Sequence, residues 1–152
     1  MARYDVESLL QEIADRVKTY FNTKVAEINA EKGDFTLANL DTTNAIFFFN
    51  ENNKDSNYDP YMVISIDRWD TSELGESRLD INVEVCVGDP IDGTIDKRVL
   101  RYIRILRELF KAGENVGPVS IPKVGQLEFI GFADETNKEF RAGGITLNAV
   151  YA

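Results

Sequence analysis

Residues 78–87, R-L-D-I-N-V-E-V-C-V, constrain this chain more than any other stretch. Leu79, Ile81, Val83, Val85 and Val87 alternate with Arg78, Asp80, Asn82, Glu84 and Cys86. A period of two gives one buried face and one face towards water, the signature of a strand. The preceding run, residues 61–69, behaves likewise. Met62, Ile64 and Ile66 form one set; Tyr61, Val63, Ser65, Asp67 and Trp69 form the other. The polar bridge 70–77 holds a single glycine, Gly75, so the two runs predict a long antiparallel hairpin.

A hairpin with one apolar face needs cover, and two helical stretches offer it. In residues 5–30, Val6, Leu9, Leu10, Ile13, Val17, Tyr20, Phe21, Val25 and Ile28 trace one stripe at three- and four-residue spacing. Asp5 is placed to cap that helix, Asn22-Thr23 marks a bend and Lys32-Gly33 a stop. In residues 95–112, Ile95, Val99, Ile103, Leu106 and Phe110 form a stripe widened by Leu100, Tyr102 and Leu109. Thr94 can cap this helix, Gly113 can end it, and Lys97, Arg101, Arg104 and Lys111 lie largely opposite the stripe.

The remaining segments read as follows. Residues 35–44 are irregular or a short edge strand, and 45–49, A-I-F-F-F, is a strand too apolar to be exposed on both faces. Residues 50–60 are a projecting polar loop, and 88–94 a turn-rich connection without phosphate-loop spacing. Residues 114–123 are a connector, 124–133 a strand, 134–141 a second polar excursion with Phe140 exposed, and 142–152 a closing strand. Helix, strands, hairpin, helix, strand, excursion, strand gives an α+β fold: a mostly antiparallel sheet with two helices packed on one face. At 152 residues it forms a single domain, 1–152.

Chemistry is sparse. There is no histidine, which removes the commonest general base and zinc ligand. The single cysteine, Cys86, cannot form an internal disulfide, so synthesis inside a cell is expected. No apolar run approaches the roughly 18 residues of a membrane span, and residues 1–8 lack a signal pattern. Asp67, Asp80 and Glu84 sit on adjacent runs, which admits a small magnesium-dependent nuclease or resolvase, although no lysine stands beside them. The net charge of −9 disfavours nucleic acid and anionic lipid. It also suits an acidic cytosolic module that binds or inhibits a basic partner. Residues 96–111 run against that average. They carry six cations and two anions, a net of +4, leaving −13 on the rest of the chain.

The order of elements resembles the tail terminator and head–tail completion proteins of long-tailed bacteriophages. The likeness rests on V-A-E-I-N-A-E-K-G-D (25–34) closing the first helix, on D-P-Y-M-V-I-S-I-D (59–67) leading into S-R-L-D-I-N-V-E-V-C-V, and on helix 95–112 followed by strands ending T-L-N-A-V-Y-A. The resemblance implies a structural virion protein, made in the bacterial cytoplasm, without cofactor or turnover. It implies a six-fold ring of identical subunits that caps the tail tube protein and meets the head connector protein. Such a ring needs a heterologous interface that closes on itself, for which the basic helix and the acidic remainder offer complementary edges. Exposed aromatics are enriched at interfaces. The residues expected to serve an oligomer or partner interface are therefore Arg68, Trp69 and Asp70 on the hairpin, Arg101 and Arg104 on the basic helix, and Asn137, Phe140 and Arg141 in the second excursion.

Overall fold

A computed structural model describes residues 5–49, 58–71, 75–134 and 136–151. Most of the polar loop expected at 50–60 and the middle of the hairpin bridge lie outside the described residues. In chain order the elements are α1 (Val6–Glu31), β1 (Ile46–Phe48), β2 (Tyr61–Thr71), β3 (Ser77–Gly88), α2 (Ile95–Leu109), β4 (Glu114–Val116), β5 (Val119–Gln126), β6 (Ile130–Ala133) and β7 (Glu139–Tyr151). The strands form one sheet in the order β1-β2-β3-β7-β5-β4, with β6 also paired to β7. Every pairing is antiparallel except β1 with β2. This is an α+β fold.

The alternation in β3 is realised as read: Leu79, Ile81, Val83, Val85 and Val87 are all buried. They share one core with Met62 and Ile64 of β2, Ile145 and Leu147 of β7, and the apolar stripes of both helices. Helix α2 runs so close over β7 that a Cβ on Gly143 would stand 2.8 Å from Val99 Cγ1. Leu100 departs from the expected stripe and is half exposed.

Helix α1 begins where Asp5 accepts a hydrogen bond from the Ser8 amide at 2.8 Å. It runs through Asn22-Thr23 without the expected bend, because Asn22 is used outwards. Its amide donates to Leu40 O at 2.7 Å and its carbonyl accepts from Leu40 N at 2.8 Å. About two turns later on the same face, Asn29 grips Leu37 in the same way, at 3.0 and 2.7 Å. Two asparagines thus satisfy the backbone of the returning segment, which is why residues 35–44 form no strand. Thr94 does not cap α2 with its side chain; its hydroxyl bonds Asp92 and accepts from Arg98 Nε.

The expected connector 114–123 is instead the β4–β5 hairpin, turned at Gly117 with φ +57°. Pro122 interrupts β5 where its pairing with β7 shifts between Ser120 and Lys123, as a residue without an N–H must. The second excursion is shorter than expected: β7 begins at Glu139, and Asp134 N donates to Lys138 O at 3.0 Å where β6 ends.

Candidate functional site

The hairpin end is the first of three places that hold the expected interface residues. A register shift between Ile66 and Arg68 puts a bulge in β2. Beyond it, Arg68 stands opposite Asp80 and Trp69 opposite Leu79. Directly opposed residues share a face, so the bulge moves Trp69 to the helix-side face, against the parity read from sequence. Leu79 opposite it is buried, but Trp69 itself is 54% exposed. Arg68 and Asp70 flank it in an exposed ion pair of 2.7 Å. All three residues are accessible, as expected.

Helix α2 is the second place, and here the expectation is corrected. Arg101 is not on a solvated face but 9% exposed, with one nitrogen held by both carboxylate oxygens of Asp34 at 2.9 and 2.8 Å. Its guanidinium carbon lies 4.0 Å from the Phe35 ring centroid, and among the described residues its buried Nη1 has no hydrogen-bond partner. Arg104 pairs with Glu31 at 2.9 Å and with Glu108 at 3.4 Å. Arg98 pairs with Asp92 at 3.7 Å and Arg141 with Asp96 at 3.3 Å. The hydrogen bonds from Arg101 and Arg104 hold the Asp34 and Glu31 carboxyls below their usual range. The basic helix therefore meets the acids at the end of α1 inside the same chain. Arg101 is thus buried rather than presented, while the Arg104 side chain stays 43% exposed.

The β6–β7 end is the third place. Asn137 sits in the turn with φ +64° and is exposed. Phe140 is not the exposed aromatic of a polar arm: it is 3% exposed and lies within β7, opposite Gly88. It stacks on Phe132 of β6 at 5.4 Å and meets Tyr61 of β2 edge-on at 5.9 Å. Tyr61 meets Phe47 of β1 at 6.1 Å, and Phe47 meets Tyr58 at 5.9 Å. Five rings thus cross the sheet diagonally on the face away from the helices. Gly88, opposite Phe140, leaves room for Asp59 and Lys138: its amide donates to Asp59 at 2.9 Å, and Lys138 closes on Asp59 at 3.2 Å. Arg141 points to the other face, towards α2.

Because β3 and β7 run antiparallel, the Trp69 end and the Phe140 end lie at opposite ends of the sheet. The nine residue steps from Leu79 to Gly88 span about 30 Å at the usual strand rise. The eight expected residues therefore do not form one site.

The carboxylates do not converge either. Asp80 and Glu84 share a face but stand four residues apart along β3, about 13 Å, too far to bind one ion together. Asp80 accepts a hydrogen bond from Asn148, and Asp67 falls in the bulge. Among the described residues no three potential ligands are grouped for a metal. Burial pushes the Cys86 thiol up to about 12, so it stays protonated at neutral pH.

Burial also raises the Glu84 carboxyl above its ordinary value of 4.5. A raised folded-state pKa contributes stability that is complete below the unfolded value and lost as pH rises through the folded one. Glu84→Gln is therefore expected to be more stable than wild type at pH 7, and to lose that advantage below pH 4.5. Urea unfolding at the two pH values measures it, and an unchanged difference would refute the assignment.

Sequence reasoning missed the exposed apolar residues Ile130 and Phe132 of β6, 51% and 37% exposed, and Ile91, 91% exposed at φ +59°. Parity within one run cannot reveal a ring contact made between three non-adjacent runs. The dipeptide Ile-Asp inside 88–94 was the available sign for Ile91, since turns favour polar residues there. No protein-family model matches the chain, and none of the curated proteins matches it.

Proposed function

We propose that this chain is a structural assembly subunit of the tail-terminator type: a phage virion protein that forms a ring on the tail tube and joins it to the head connector. It acts by docking, without cofactor or turnover. The observation that carries this reading is the hairpin end, where the far end of β2 presents Trp69, over half exposed, between Arg68 and Asp70. A large aromatic held on a rigid strand is costly to leave in water and suits burial against a partner. The order α-β-β-β-α-β-β-β-β supports the reading too, since it keeps the element order on which the resemblance rests.

Light scattering across concentration, at low and high salt, tests it. A hexamer, or growth towards one as concentration rises, is expected. Association should survive high salt, because the basic helix is already paired within the chain. Trp69 is the only tryptophan, so its emission should shift to the blue as the assembly forms. A monomer that also fails to sediment with phage tail tubes would overturn the reading.

A further inference from the structure

The sheet has two edges whose chemistry is unusual for this chain. Among the described residues strand β6 pairs only with β7, and all four of its residues, Ile130, Gly131, Phe132 and Ala133, are exposed. On the far side β1 pairs with β2, and among the described residues no backbone group bonds its outer edge. Phe49, just beyond β1, is 48% exposed. Exposed strand edges are normally blunted by charge or proline, because their unpaired N–H and C=O groups recruit other strands. Neither β6 nor residues 45–49 contain a charge or a proline.

We propose that the β6 edge of one copy pairs antiparallel with the β1 edge of a second copy. This rests on the assembly reading above and gives it an interface. Strand direction permits it. β1 runs with β2, and three successive antiparallel pairings through β3 and β7 leave β6 running opposite to β1. A rotation about an axis along the strands preserves those directions, so β6 meets the next β1 in the antiparallel sense, the more stable of the two. Charge selects a second copy here. Two chains of net charge −9 repel, and they approach most cheaply where both surfaces are neutral. A cationic partner would gain nothing from these uncharged strands. The aromatic row also ends at both edges, on Phe132 and on Phe47 with Tyr58, and the same pairing carries it from copy to copy. Such a contact is heterologous, so it builds a ring or a filament and never a closed two-fold dimer.

Sedimentation velocity over a concentration series, with two edge variants, tests this. Phe132→Lys and Ile130→Lys each place a charge on the free edge at an already exposed position, and unchanged far-UV circular dichroism checks their folding. Each is expected to weaken association at least tenfold. In a Cys86→Ala background, an Ile130→Cys/Phe49→Cys double variant treated with a short bis-maleimide should give a ladder of covalent multimers, and each single variant no ladder. Wild-type protein that assembles, with both lysine variants assembling equally and the double variant giving no ladder, would overturn the edge pairing while leaving the assembly reading intact. Protein that stays monomeric and uncross-linked at every concentration overturns the edge pairing, and sedimentation with tail tubes then decides the assembly reading by itself.

Discussion

Gly144→Val is expected to abolish folding, the largest effect of any single substitution considered for this chain. Gly144 lies in β7 opposite Glu84, and a Cβ there would fall 2.0 Å from Val83 O and 2.8 Å from Glu84 Cα. These are backbone atoms of the central strand pair, so no side-chain rotation relieves the clash, and β3 and β7 must separate. The cost exceeds about 4 kcal/mol, comparable to the whole stability of a small domain. A graded series makes the argument specific. At Gly143 the nearest atoms are the ends of Val99 and Ile103, which can shift, so Gly143→Ala should lower the melting temperature without preventing folding. At Gly131 the nearest atom is 3.6 Å away, so Gly131→Ala should be nearly neutral in stability. Soluble yield, circular dichroism and thermal unfolding give the order, and equal behaviour at Gly144 and Gly131 would contradict the pairing described.

Phe140→Ala is expected to cost about 3–5 kcal/mol in urea unfolding. Phe140 is 3% exposed and links Phe132 to Tyr61 in the ring row, with Lys138 lying 5.1 Å from its centroid. Its removal opens a cavity between β7, β6 and β2 and strands the two neighbours. An aromatic on a projecting polar arm would instead lose less than about 0.5 kcal/mol on the same change. The measurement thus separates the sequence expectation for this residue from its place in the fold. A small effect would return Phe140 to the surface.

The two cases show why local pattern reached some features and not others. The faces of β3, the stripes of α1 and α2 and the Asp5 cap were legible because each is fixed by neighbours within a few residues: strand alternation, helical spacing and a side chain three residues from the amide that donates to it. The α+β class follows from the order of those elements. Connections were less legible. The β4–β5 hairpin was hidden by Pro118 and Pro122, which argue against a strand locally but are tolerated at a turn and at a register shift.

The candidate site was legible only at Arg68, Trp69 and Asp70, and even there the face was reversed. A bulge is one extra residue whose presence depends on the partner strand, so parity carried through it gives the wrong side. Arg101 shows the same limit in electrostatics. Its charge is read from one letter, but whether it faces water depends on Asp34 and Phe35, sixty-six and more residues away, and the fold brings both to it. Phe140 was read from its polar neighbours, whereas its burial comes from Phe132 and Tyr61 on strands paired or nearly paired with its own. By itself the sequence determined the two helices, the central hairpin, the covered face of β3 and an acidic chain with one basic helix. Tertiary structure alone decided where that charge is neutralised, which aromatics are buried and which strand edges stay open, because each depends on contacts between residues far apart in the chain.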